Sequence, residues 1–220
     1  VSVAFVIGQP GYEERDGDLY IVGVEDVLRT PLGERSLWKE LSADEVRIVV
    51  TGGGGGHGGC EAFLNAAIAA VDIVSHRTER RVRARIVTGP YFRGETRFPT
   101  SSRAQITLSR YIPPTRSLYA DATVVVAQAG YNTVHELNSL AIPYVLVPLN
   151  SRVGYDDQGG RAEAFRGRVG VYVAGCSPFD IAAGIEAAMA SPKLVRPESG
   201  DHRPQGAFQI ATVLEALAGI

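Results

Sequence analysis

Thr51-Gly52-Gly53-Gly54-Gly55-Gly56-His57-Gly58-Gly59 is the stretch on which the reading of this chain turns. A β-branched apolar run precedes it (Val46, Ile48, Val49, Val50), and a helical pattern over 60–74 follows. A strand, a glycine loop and a helix start together make an anion trap. Glycine lets the backbone approach a ligand and admits positive φ. The unpaired N–H groups of a helix's first turn, with the macrodipole behind them, favour negative charge. The plain alternative is a tight turn. Seven glycines around one histidine exceed what a turn needs, so the run reads as a phosphate loop.

Outward from the loop, short β-branched runs over 46–51, 82–88, 105–108, 123–127, 144–147 and 171–173 read as strands covered on both faces. Helical spacing lies between and after them: Leu64, Ile68 and Val71; Ile181, Ile185 and Ala188; Ile210, Leu214 and Leu217. Alternating strand and helix imply an α/β fold with a doubly wound parallel sheet. Ligands bind such sheets outside the carboxyl ends of the strands. Before residue 45 the pattern is irregular: strand-like runs over 3–7 and 19–24, then a stretch over 25–44 mixing Pro, Gly and charge, with room for a short helix.

At 220 residues and 45% hydrophobic, the chain can bury a sizeable core. A net charge of −2 exerts no global pull on nucleic acid. Cys60 and Cys176 offer no disulfide framework or metal spacing, and read as two buried thiols in a reducing, cytoplasmic setting. No metal and no cofactor are expected. The apolar runs are too short to span a membrane, and no charged-then-apolar leader is visible. Arg77, Arg80, Arg81, Arg83 and Arg85 read as a solvated helix end and sheet edge, with a membrane-surface contact as the second reading. No aromatics interleave them, which argues against single-stranded nucleic acid.

Gly54-x-Gly56-x-x-Gly59 formally matches the dinucleotide fingerprint, but the second strand ends Thr88-Gly89-Pro90 with no acidic ribose partner. A P-loop would need Lys-Ser or Lys-Thr after the last glycine, where Cys60 stands. A second constellation decides between nucleotide sites. The strand over 123–127 leads into Gln128-Ala129-Gly130-Tyr131-Asn132-Thr133, then Val134-His135-Glu136-Leu137, Ala141-Ile142-Pro143 and Pro148, and finally Asp157-Gln158 before Arg161-Ala162. It supplies another strand, turn and helix start, whose amides would face the same cleft. Glu136, one turn in, either accepts a diol or is an ordinary exposed glutamate.

These pieces, in this order, resemble the donor-binding half of GT-B glycosyltransferases, nearest to the family-28 group that contains the peptidoglycan N-acetylglucosaminyltransferase. The resemblance covers residues 46–217. It implies one Rossmann-like half of a GT-B fold over 45–220, with 1–44 as a connection or remnant of a preceding domain; residues 19–29 resemble the family's interdomain connection. The donor would be a nucleotide sugar, UDP-linked. By the same resemblance Gly53, Gly54, Gly55, Gly56, His57 and Gly58 line its diphosphate, joined by Ala129, Gly130, Asn132 and Thr133 of the second turn. Tyr111 and Ile112 would read the base, Glu136 the ribose, and Asp157 with Gln158 the sugar. Arg161 stands where the family has Asn, Ala141 where it has Gly, and Ala129 where Ser or Gly is frequent. His57 is unusual inside the loop. It is either a solvent-exposed residue or, protonated, a source of charge on the diphosphate, and it is the single candidate catalytic group.

The family's acceptor domain precedes this half and supplies the base. Only about 45 residues precede the strand that leads into the glycine loop, and the chain opens at Val1 in an apolar run. The resemblance therefore implies a fragment or the donor half of a split enzyme, working with an acceptor-binding domain or separate acceptor subunit. The alternatives are a UDP-sugar epimerase or hydrolase of the same fold, and a non-catalytic nucleotide-sugar-binding subunit.

Overall fold

A computed structural model describes residues 5–7, 19–21, 38, 42, 44–112, 115–140, 142–149, 157–192, 211–212 and 214–216. Two short strands, β1 (Phe5–Ile7) and β2 (Leu19–Ile21), form a separate parallel pair with Phe5 opposite Leu19. The main sheet is built on β3 (Glu45–Thr51), whose Val46, Ile48 and Val50 enter one core and Val49 the other. That alternation, with apolar residues on both sides, is what a strand buried on both faces requires.

Around β3 lie β4 (Arg81–Val87), β5 (Gln105–Ser109), β6 (Val124–Gln128), β7 (Tyr144–Val147) and β8 (Val171–Val173). The order is β5-β4-β3-β6-β7-β8, and every pairing is parallel. This is the Rossmann order. The connections reverse direction between β3 and β6, and there a crevice opens at the carboxyl ends. On one face pack α1 (Cys60–Arg77) and α5 (Pro178–Met189). On the other pack α2 (Thr115–Ala120), α3 (Tyr131–Leu140) and α4 (Gln158–Phe165). The expected α/β class and parallel doubly wound sheet are thus present.

Several local expectations are corrected. The helix over 60–74 continues to Arg77. The strand over 82–88 is buried on both faces only at its end: Val82, Ala84 and Ile86 enter the α1 core, while arginines alternate on the opposite face. β5 is an edge strand with Leu108 exposed. Nor is the arginine-rich stretch a solvated edge throughout. The guanidinium carbons of Arg83 and Arg85 lie 5.7 and 5.2 Å from the Trp38 ring centroid. Arg83 also pairs with the buried Glu45 carboxylate at 3.3 Å. Trp38 itself is buried, and its indole N–H donates to the Leu118 carbonyl at 3.2 Å. Arg77 does sit in solvent, paired with Glu186 at 3.2 Å. Cys60 is buried as expected, but Cys176 is exposed in the turn before α5. The short helix anticipated within 25–44 lies outside the described residues. In the last helical pattern, residues 211–212 and 214–216 are helical, while Ile210 and Leu217 lie outside the description. No described helix is long and apolar enough to cross a membrane.

Candidate functional site

The glycine loop takes its shape from the segment after β4. Gly52 N–H donates to the Val87 carbonyl (2.9 Å), and Tyr91 N–H to that of Gly54 (2.9 Å). Gly53 N–H is held by Thr51 Oγ1 at 3.2 Å. Gly53, Gly55 and Gly89 have φ of 59°, 77° and 96°. A Cβ on Gly55 would overlap the Thr88 carbonyl and meet Phe92 N at 2.9 Å. One on Gly89 would overlap the Gly53 carbonyl and stand 2.6 Å from Gly55 N. These glycines are therefore demanded by backbone packed on backbone. Gly54 and Gly56 differ: their missing Cβ atoms face only Tyr91, at 3.7 and 3.4 Å, and that of Gly58 meets nothing within 4 Å.

His57 is half-buried, and its Nδ1 accepts the Gly59 N–H at 3.1 Å. The neutral ring must then carry its proton on Nε2, a donor available to a ligand. Directly after, α1 starts on Gly59 with no side-chain cap. By contrast α4 is capped by Asp157, which accepts the Gly160 N–H at 2.7 Å, and α5 by Ser177, which accepts that of Asp180 at 3.1 Å. Cys60 lies beneath the loop, its thiol pKa raised by burial and partly offset by the Gln128 side chain. A raised pKa and burial make it an unreactive thiol.

β6 delivers the opposite wall, through the Gln128-Ala129-Gly130 turn into α3. A Cβ on Gly53 would stand 3.9 Å from Thr133 Oγ1, so the glycine loop faces the start of α3. Between them lies a cavity of about 420 Å³, lined by Gly52 to His57, by Gln128 and Gly130 to Thr133, and by Gln158. Ligand pockets run roughly 300–1,000 Å³, so the cavity is of the size that holds a small ligand. Gln128 is 7% exposed, and its Nε2 makes no hydrogen bond of normal geometry. Its thiol neighbour, Cys60, is a weak acceptor. A buried donor left in this state favours any ligand that brings an oxygen.

Behind this wall His135 is buried, its ring 4.6 Å from that of Tyr131 and 5.7 Å from Phe165. Burial, aided by the Arg161 and Arg168 cations, pushes its pKa down to about 4. Burial raises the Tyr119 hydroxyl pKa, against a hydrogen bond from Thr51; the charge of nearby Glu136 raises it further. Hydrogen bonds thus link Tyr119 to Thr51 and Thr51 to Gly53.

Of the residues expected at the site, Gly53, Gly54, Gly55, Gly56, His57, Gly130, Asn132, Thr133 and Gln158 share this cavity. Gly58 is exposed just outside the lining, and Ala129 is fully buried behind the turn. Tyr111, 62% exposed, and half-buried Ile112 lie apart from it beyond β5. Glu136 is half-buried one turn into α3, and Asp157 is exposed at the α4 start. The lining also includes Gly52, and Gln128 and Tyr131 of the second turn. Gln158 Oε1 accepts the Leu149 N–H at 3.1 Å, fixing its side chain. Among the described residues, no three His, Cys, Asp or Glu side chains converge to hold a metal.

Known proteins share this architecture. The pattern of the glycosyltransferase family 28 C-terminal domain matches residues 47–194. The UDP-N-acetylglucosamine–N-acetylmuramyl-(pentapeptide) pyrophosphoryl-undecaprenol N-acetylglucosamine transferase of Exiguobacterium sp. is 29% identical over 123 residues, 56% of this chain and 33% of that protein. The enzyme of the same name from Legionella pneumophila is 38% identical over 50 residues, 23% of this chain and 14% of that protein. The chain therefore spans a third or less of the length of either relative. The crystal structure of a kitacinnamycin glycotransferase superposes with a TM-score of 0.60 at 17% identity, covering 90% of this chain and 54% of that one. MurG of Acinetobacter baumannii superposes with 0.57 at 14% identity, covering 97% and 60%. At such identities these two structures speak for the fold, a Rossmann-like half of the GT-B type. The matched span runs from β3 through the glycine loop and second turn to α5, and by it this chain belongs to glycosyltransferase family 28, in the part that forms the family's C-terminal domain.

Proposed function

We propose that this chain binds a UDP-linked sugar and forms the donor half of a hexosyltransferase, with the acceptor held by another domain or partner chain. The observation that carries the reading is the cavity between the glycine loop and the start of α3. The N-terminus of α3, a glycine backbone, the Nε2–H of His57 and the unsatisfied Gln128 amide all offer donors there. A diphosphate has the charge and the oxygens to match them. In glycosyl transfer the anomeric C–O bond breaks and negative charge grows on the leaving diphosphate. A preorganised donor at such a site contributes about 3–4 kcal/mol to the transition state.

In this reading Glu136 binds the ribose diol, Tyr111 and Ile112 the base, and Asp157 with Gln158 the sugar. The acceptor's proton goes to a base outside the described residues, and a cytoplasmic location belongs to the same proposal. Titration calorimetry of the 220-residue chain with UDP, UMP, uridine and NADPH tests it. UDP should bind more tightly than UMP, and uridine weakly. Equal affinity for UDP and uridine, or a preference for NADPH, would overturn it.

A further inference from the structure

The sugar-facing helix and the diphosphate turn are joined by one buried side chain. Arg161, 7% exposed on α4, donates from Nη1 to the Ala129 carbonyl at 2.6 Å. Its guanidinium carbon lies 5.7 Å from the centroid of the Tyr131 ring. Ala129 is the centre of the turn between β6 and α3, and Tyr131 is the first residue of α3. Both contacts therefore fall where the direction of the α3 amides is set. One turn earlier on α4, Gln158 is itself anchored to Leu149, two residues past the end of β7.

We infer that Arg161 is a positioning residue: it fixes the β6–α3 turn so that the first amides of α3 point into the cavity, and it couples that turn to α4. This rests on the nucleotide-sugar reading above. The chemistry suits arginine specifically. The bond to Ala129 is charge-assisted, short and buried, and the planar fork can stack on Tyr131 while donating. A lysine supplies a point charge but neither the fork nor the stack. Arg161 does not touch the ligand in this scheme. Its loss should act on phosphate binding and leave the nucleoside end alone.

The test uses the 220-residue chain, with UDP and uridine as probes in calorimetry and circular dichroism to verify folding. Arg161→Ala should weaken UDP by at least about tenfold and leave uridine unchanged. Added guanidinium ion, at millimolar level and below any denaturing concentration, should restore UDP affinity to the Ala variant and do nothing to wild type. A folded Arg161→Ala that binds UDP like wild type, or that loses UDP and uridine equally, overturns the inference. So does a weakened variant that guanidinium fails to restore. If Arg161→Ala does not fold, Arg161→Lys decides: weakened UDP with unchanged uridine supports the role, and wild-type UDP affinity refutes it. Failure of wild type to bind UDP at all is a different result, and it removes the nucleotide-sugar reading itself.

Discussion

Replacing Gly55 by Ala should cost more than any other single methyl group in the glycine loop. At φ 77° the backbone is left-handed, which costs an L-residue about 1–2 kcal/mol. The new Cβ would also overlap the Thr88 carbonyl and press on Phe92 N and Cβ, each at 2.9 Å. These are backbone or near-backbone atoms with little room to give, so overpacking adds about 1–3 kcal/mol. The sum is about 2–5 kcal/mol, and a domain of this size loses about 2–4 °C of Tm per kcal/mol. Gly55→Ala should therefore melt at least about 4 °C below wild type. Gly58→Ala is the control: φ is not positive and nothing lies within 4 Å of the added atom, so its stability should stay within about 1 kcal/mol of wild type. Trp38, the single tryptophan and 3% exposed, reports core melting by its emission. Wild-type melting of Gly55→Ala, or an equal loss in Gly58→Ala, would refute the claim that the loop after β4 moulds the glycine run.

The folded-state pKa of His135, about 4, lies below the ordinary value near 6.5. Its neutral form is favoured by folding, so this stability is complete above about pH 6.5 and is lost as pH falls toward about 4. His135→Leu should flatten the pH dependence of urea unfolding in that window, and parallel profiles would contradict the assignment. Gln128→Met should keep or raise the stability of the free protein while weakening UDP by about 1 kcal/mol or more; calorimetry that finds UDP binding intact would show that the amide does not meet the ligand. Glu136→Ala should lower UDP affinity at least about tenfold and abolish discrimination against a 2′,3′-dideoxy analogue. A mutant that still discriminates places Glu136 off the ribose. Asp157→Ala removes a helix cap, costing about 0.5–2 kcal/mol in denaturant titration, with UDP affinity held and preference among UDP-sugars reduced; loss of UDP binding would move the residue to the nucleotide end.

How much was legible in advance follows from the range of each interaction. The runs of valine and isoleucine around β3, β6 and β7 declare themselves, because a strand buried on both faces admits little else. The helix over 60–74 and the second helix start were likewise written in local spacing. α2 was not: Thr-Arg-Ser-Leu-Tyr-Ala is too short for a period, and its Leu118 and Tyr119 are buried through contacts made elsewhere in the chain. The stacking of Arg83 and Arg85 on Trp38 joins segments with no local sequence signature, so alternating arginines read as solvated. The bond from Arg161 to Ala129 spans 32 residues and was visible only as a departure from the family pattern. Within the loop, sequence marks seven glycines alike; only the packing of Thr88, Gly89 and Phe92 separates those the fold requires from those that face outward.

The missing cap on α1 has a practical corollary. Because no side chain caps its first amides, the stability of this protein is expected to depend on the buffer anion. Sulfate or phosphate should compete for those amides where chloride does so poorly. An oxyanion at ten times its dissociation constant would add about 1.4 kcal/mol by mass action alone. Melting temperatures taken in phosphate and in chloride at equal ionic strength should therefore diverge, and a variant judged destabilised in one may look innocent in the other.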